Sequence, residues 1–96
     1  MVISKEQYKE LRKNAEDKLR AYPYHKFSDR ENDKSIEFIE FVMDRLDETS
    51  KTIIKNTYFV DNIPKRKTLN DLNISVACYY RKKKKALEKF MIGLSY

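Results

Sequence analysis

Residues 68–90 read TLNDLNISVACYYRKKKKALEKF, and this stretch decides the fold. A short apolar segment comes first, and a longer segment with two tyrosines and five consecutive cationic residues follows it. Between them, Asn73 tolerates the left-handed backbone conformation that ends a helix, and Ser75 is a favourable residue to cap the next one. We therefore expect two helices joined by a tight turn, with Thr68 as the N-cap of the first. This is the layout of a helix-turn-helix.

The second of these helices is expected to have two different faces. It should run from Ser75 to about Ile92, after which Gly93 suits the left-handed conformation common beyond a helix end. One face is apolar and is assigned to the core: Tyr79, Ala86, Leu87 and Phe90. The opposite face starts at the N-terminal end of the helix, where free backbone N–H groups and the helix dipole favour phosphate.

That opposite face has the residue types that read DNA in the major groove. Small side chains permit close approach, a tyrosine bonds or stacks on the backbone, and an arginine donates two hydrogen bonds to guanine. The predicted base contacts are Val76, Ala77, Tyr80, Arg81 and Lys84. The predicted contacts to the DNA backbone are Lys65, Arg66, Lys67, Ser75, Lys82, Lys83 and Lys85. The alternative is a solvated basic helix that contacts no nucleic acid.

Charge is distributed unevenly along the chain. Residues 1–50 contain ten Lys/Arg and twelve Asp/Glu, a net charge of −2, and residues 51–96 contain eleven Lys/Arg and three Asp/Glu, a net charge of +8. The two values add to the overall +6. A basic half beside a mildly acidic half indicates one surface for a polyanion rather than a uniformly basic protein.

Composition favours a single helical domain. The 96 residues are 41% hydrophobic and 12% aromatic, which is enough for one core. One glycine and two prolines provide little material for the many tight turns of a small β protein. We therefore expect an all-α fold over residues 1–96, a small bundle of about four to five helices with the helix-turn-helix at its C-terminal end.

The N-terminal half predicts two amphipathic helices, at residues 4–22 and 34–48. Ser4 and Gln7 have the spacing of a capping box at the start of the first helix. Pro23 is expected to end it, because proline disfavours helical geometry in the preceding residue. This helix either packs within the chain or pairs with a second copy, and the first alternative is favoured. Its apolar stripe consists of Tyr8, Leu11, Ala15, Leu19 and Tyr22.

Residues 23–33 are expected to form a loop, and Asn32 or Asp33 is expected to cap the second helix. The acidic side chains of that helix should face water: Glu37, Glu40, Asp44 and Asp47. Its apolar side chains should face inward: Ile36, Ile39, Val42, Met43 and Leu46. Phe38 and Phe41 broaden this apolar surface. The width indicates a central helix packed on two sides, or a site for a partner, and the first interpretation is favoured.

A third helix is expected to begin at Ser50 as its N-cap and to end near Phe59. Its buried side chains should be Ile53, Ile54 and Tyr58. Residues 60–67 then form a polar and basic connection to the helix-turn-helix.

Several short sequences together resemble a known group. They are NIS at residues 73–75, YYR at 79–81 and KAL at 85–87. In this combination they resemble the C-terminal part of phage-encoded transcriptional regulators of the ArpU and RinA type, which in turn resemble region 4 of sigma-70 factors. The stretch IIKNTYF, residues 53–59, matches the helix that precedes the motif in that group.

The resemblance covers about residues 50–92. It implies promoter DNA bound by residues 75–85 and control of late or mobile-element genes. We expect double-stranded DNA as the partner and a homodimer as the active form, because one helix reads only a few base pairs. The alternative is a protein-interaction module that docks on RNA polymerase or another regulator without specific readout of DNA.

Enzymatic chemistry is not indicated. The chain has one histidine, His25, expected on the surface, and one cysteine, Cys78, expected to be structural. Neither a glycine-rich phosphate loop nor zinc-ligand spacing is present, so we expect no catalytic residue, metal or cofactor. No apolar run approaches the roughly 20 residues of a membrane span, and Met1 leads into a polar helix rather than a secretory segment. A cytoplasmic protein is expected, and the lone cysteine fits a reducing compartment.

Overall fold

Five α-helices and one π-helical turn form in the computed structural model, which describes residues 4–26 and 34–94. The helices are α1 (Lys5–Lys26), α2 (Lys34–Arg45), α3 (Glu48–Ile54), α4 (Lys65–Leu72) and α5 (Val76–Gly93), and the π-helical turn Lys55–Phe59 extends α3. Neither described range contains a β-strand. The prediction of an all-α bundle is confirmed. The predicted caps Asn32 and Asp33, and loop residues 27–33, lie outside the described residues.

Helix α1 begins as predicted and ends later than predicted. The Ser4 N–H donates to Gln7 Oε1 at 3.0 Å, and the Gln7 N–H donates to Ser4 Oγ at 3.1 Å, which is a complete capping box. The prediction that Pro23 ends the helix was wrong, because α1 continues through it to Lys26. The missing proline N–H removes one hydrogen bond in the last turns. Packing of the Tyr22 ring 4.8 Å from the Phe59 ring holds this part of the helix in place.

The boundary between α2 and α3 lies three residues before the predicted one. Asp47 is the N-cap of α3, and its carboxylate accepts from the Ser50 N–H at 3.1 Å and from the Ser50 hydroxyl at 2.7 Å. The predicted cap Ser50 is instead a buried residue inside the first turn. Asp and Ser are both good caps, so the sequence alone did not distinguish them. The Ser50 hydroxyl, with further help from Lys82, lowers the pKa of Asp47.

Replacing Asp47 with alanine is expected to lower the free energy of unfolding by about 0.5–2 kcal/mol, because two donors of Ser50 lose their acceptor. Asp47→Asn is the matched control, since an asparagine oxygen still caps a helix, and it should cost less. Because the pKa of Asp47 is lowered on folding, its charge stabilises the chain at neutral pH, and this contribution disappears as the pH falls through the folded pKa. Urea denaturation at neutral and acidic pH measures both effects. Equal stability of wild type and Asp47→Ala would contradict the assignment of this cap.

Helix α4 starts earlier than the sequence indicated. Pro64, with φ −65° and ψ 146°, precedes its first turn, which contains the cations that were predicted to form a connection. The predicted N-cap Thr68 is an interior residue, 3% exposed, and its hydroxyl oxygen accepts from Asn56 Nδ2 at 3.1 Å. Proline has a preset φ and needs no N–H donor at a helix start, so it is compatible with this position. No side chain caps α4, and the Pro64 carbonyl accepts from the Lys67 N–H at 3.1 Å and from the Thr68 N–H at 3.4 Å.

A tight turn joins α4 to α5 as predicted. Asn73 is left-handed, with φ 54° and ψ 49°, and the following Ile74 N–H donates to the Leu69 carbonyl at 3.2 Å. The Ser75 hydroxyl accepts from the Cys78 N–H at 3.1 Å, which confirms the predicted cap of α5. The turn and the Ser75 cap therefore fix the residue at which α5 begins.

The core lies where α1, α2, α3 and α5 meet, and its apolar residues are those that periodicity predicted. In α1, Ala15 and Leu19 are fully buried, so its apolar stripe packs within the chain. The inward-facing residues of α2 and α3 and the core face of α5 are buried as predicted: Ile36, Ile39, Val42, Met43, Leu46, Ile53, Ile54, Tyr58, Tyr79, Ala86, Leu87 and Phe90. Burial raises the pKa of Tyr58, which donates to Glu16 at 2.8 Å.

Gly93 does not adopt the predicted left-handed conformation. It is the last residue of α5, and its φ is not positive. The Phe38 ring packs directly against its Cα, in the space that a Cβ would need. Glycine therefore serves close packing between α2 and α5 rather than helix termination.

Candidate nucleic-acid interface

The first half of α5 presents an open face to solvent. Val76 and Tyr80 are 49% and 48% exposed, and Ala77, Arg81 and Lys84 are exposed as well. The Ser75 cap fixes the beginning of the helix, and the buried Tyr79 side chain anchors its other side in the core. The five residues predicted to contact bases therefore lie together on one accessible surface, which we call the reading face.

Helix α4 contributes a cation to the reading face. The Lys65 ammonium donates to the Tyr80 hydroxyl at 2.7 Å and lies 4.9 Å from the centroid of its ring. This hydrogen bond, together with the positive charge of Lys65, lowers the pKa of Tyr80. Because Lys65 donates to the phenol oxygen, the Tyr80 O–H remains able to donate to an acceptor such as a phosphate. A hydrogen bond thus joins Lys65, which was predicted to contact the DNA backbone, to Tyr80, which was predicted to contact bases.

The other two predicted contacts of α4 lie beside Lys65 in the first helical turn. Arg66 is exposed. Lys67 is exposed too and pairs with Asp71 at 3.1 Å, across one turn of the same helix. An ion pair with both partners exposed is weak, so a phosphate can compete for Lys67 at little cost.

The cationic run of α5 does not form one continuous surface, because successive residues of a helix are rotated by about 100°. Arg81 and Lys84 belong to the reading face. Lys83 lies over two aromatic rings at the edge of the core, 6.0 Å from Tyr58 and 5.9 Å from Tyr79. The predicted backbone contacts in this run are therefore spread over three sides of the helix.

A second basic surface runs along the side of α5 that borders α3. Four cationic residues line a groove there: Arg81, Lys82, Lys85 and Lys89. The other lining residues are Leu46, Asp47 and Ser50. Lys82 pairs with Asp47 at 3.5 Å, so one carboxylate partly neutralises this groove. Lys89 was not among the predicted contacts. Its spacing of four residues from Lys85, and of eight from Arg81, could have identified it.

Residues 4–26 and 34–94 contain no group of three or more His, Cys, Asp or Glu side chains that could hold a metal ion. Cys78 is a free, partly buried thiol at the start of α5. The side chain of His25 lies outside the described part.

Comparisons with protein-family models, curated proteins and solved structures produced no match to this chain. Among the helices described, none is both long and apolar enough to span a membrane.

Proposed function

We propose that this chain is a DNA-binding transcriptional regulator that inserts the first half of α5 into the major groove. The observation that carries the proposal is the exposure of Tyr80, Arg81 and Lys84 on one face, beside Lys65 of α4. A helix of this kind approaches base edges with its N-terminal residues while the preceding helix contacts the backbone.

The residue types on the reading face suit distinct parts of a duplex. Val76 and Ala77 are small enough for close approach and for contact with thymine methyl groups, and Arg81 can bond guanine O6 and N7 together. We assign phosphate contacts to Lys65 and Arg66 at the start of α4, because such contacts orient a protein on DNA without selecting sequence. In this proposal α4 positions the protein on the DNA backbone and α5 reads the bases.

The biological setting is part of the same proposal. The resemblance of about residues 50–92 to phage-encoded regulators supports control of late or mobile-element promoters. A short reading face supports action as a homodimer on two half-sites. The lone cysteine supports a cytoplasmic location, since disulfides are rare in that compartment. The proposed activity requires no enzymatic step, metal or cofactor.

The central test measures DNA affinity against salt concentration. Selection from a random duplex library should enrich one defined motif, and its binding constant should then be measured by fluorescence anisotropy. If about four to six cations neutralise phosphates, log K should fall against log salt with a slope of about −4 to −5. Affinity that does not change with salt, or a library that yields no motif, would refute the proposal. The solvated basic helix would then be the remaining interpretation.

The second candidate function is docking on RNA polymerase, and it has one specific observation in its favour. Phe41 and Ile92 leave an apolar surface exposed on the bundle, which a protein partner could cover. Retention by polymerase in a pull-down, together with no electrophoretic shift on any duplex, would favour this function. Enrichment of a defined DNA motif favours the first.

A further inference from the structure

An apolar surface remains exposed where α2 and the end of α5 lie side by side. Phe41 is 51% exposed and Ile92 is 78% exposed, although both are large apolar side chains. They border a groove of about 420 Å³ whose other lining residues are Phe38, Val42, Arg45, Lys89 and Gly93. A contiguous apolar surface with a charged rim is typical of a protein–protein interface. We call this surface the α2 ridge.

Two charges of α2 flank Phe41 at equal spacing, and Lys89 of α5 adds a third charge to the rim. Glu37 lies one helical turn before it, and Arg45 lies one helical turn after it. Arg45 is held on the ridge, because its guanidinium stacks 3.5 Å from the Phe41 ring centroid and donates to the Phe41 carbonyl at 3.2 Å. The order along the ridge is therefore acid, aromatic ring, base, with equal spacing.

We propose that the α2 ridge binds a second copy of this chain, with the two α2 helices antiparallel and a two-fold axis passing beside Phe41. Antiparallel pairing places the residue one turn before the axis opposite the residue one turn after it on the partner. Glu37 then faces Arg45 of the partner subunit, and the partner's Glu37 faces Arg45. The two Phe41 rings meet at the centre, which is the self-complementary arrangement of a two-fold interface.

The charges of Glu37 and Arg45 favour a second copy of this chain as the partner at the α2 ridge. A uniformly acidic partner would be repelled by Glu37, and a uniformly basic partner by Arg45. An identical ridge in antiparallel orientation satisfies both charges at once. The interface deepens the homodimer of the proposed function, but it does not depend on DNA binding.

The ridge also leaves the reading face accessible. Tyr80 and Ile92 are twelve residues apart on α5, which corresponds to about 18 Å along a helix axis. Two chains can therefore associate through the C-terminal end of α5 while each keeps the N-terminal end free for DNA.

Charge reversal tests the pairing directly, by sedimentation velocity and light scattering over a concentration series. E37R alone brings like charge opposite the partner's Arg45, and R45E alone brings like charge opposite the partner's Glu37. Each should raise the dimer dissociation constant about ten- to hundredfold. An equimolar mixture of the two variants restores opposite charges at both positions and should recover a dimer, and so should the double variant.

Matched controls carry the same charge changes on exposed residues of α1 that do not line the groove: E10R for E37R, and K9E for R45E. Both should dimerise like the wild type. The proposal is overturned if the wild type stays monomeric over the concentration series, if either ridge variant dimerises normally, or if the mixture stays monomeric. A monomeric wild type that RNA polymerase retains, with retention lost in E37R and R45E, would assign the ridge to that partner. DNA selection is read separately, so failure of this interface leaves the proposed function testable.

Discussion

Replacing Phe90 with alanine should lower the free energy of unfolding by about 3–5 kcal/mol, a larger loss than the one expected for the Asp47 cap. Phe90 is fully buried, at 0% exposure, in the cluster that joins α5 to Leu19 of α1 and Ile39 of α2. Truncation removes the transfer free energy of the ring and leaves a cavity that the packed helices fill only partly. Since domains of this kind have only about 5–15 kcal/mol of total stability, this is a large share.

The measurement is equilibrium urea denaturation followed by far-ultraviolet circular dichroism, with the slope m compared between variants. Val76→Ala is the matched control, because it also truncates an apolar residue of α5 but at a position that is 49% exposed. It should change the unfolding free energy by less than about 0.5 kcal/mol. A Phe90→Ala midpoint equal to that of the control would mean that α5 does not dock on the bundle as described.

Arg81→Ala should weaken binding to the selected DNA motif by about 1–3 kcal/mol and relax base preference at one position. Arg81 is exposed on the reading face, where a guanidinium can bond guanine bidentately. Alanine removes those hydrogen bonds and one cation, so random duplex should lose less affinity than the selected motif. Competition anisotropy on both duplexes measures the difference.

Arg66→Ala is the matched control for this experiment. It removes the same side chain from the first turn of α4, where a phosphate contact is proposed, so it should weaken both duplexes alike and reduce the salt slope by about 1. Lys65 is less suitable, because it also holds Tyr80. If Arg81→Ala reduced affinity for the selected and random duplexes equally, Arg81 would be a phosphate contact and not a reader of bases.

Helix periodicity predicted which side chains are buried, and capping chemistry predicted helix ends less well. The apolar stripes of α1, α2 and α5 identified the core because the helical repeat is a local property of the chain. Ends were misplaced where two suitable residues compete. Asp47 and Ser50 are both good caps, and Asp47 is the one that caps α3. Pro64 precedes the first turn of α4, although Thr68 was predicted to be its N-cap. Ser50 and Thr68 are both buried within their helices, and this burial depends on neighbouring helices that local spacing does not reveal.

The sequence also predicted only part of the candidate site, because some of its contacts depend on packing between helices. Arg81 lies opposite the core face of α5, which explains its exposure. Tyr80 lies on nearly the same side of the helix as the buried Leu87, so its exposure depends on how the helices pack. The contact between Lys65 and Tyr80 joins residues fifteen apart, and it exists only because the turn brings the start of α4 beside α5. Likewise, Lys82 meets Asp47 across thirty-five residues, which separates it from the reading face.

The sequence by itself determined that the chain is helical, which face of each helix is apolar, and where the Asn73 turn and the Ser75 cap stand, since each depends on residues within a few positions of one another. Only the tertiary structure decided which cations share a surface, that Gly93 receives the Phe38 ring, and that Phe41 and Ile92 stay exposed. These properties depend on how separate helices pack, and distant residues meet only after the core has formed.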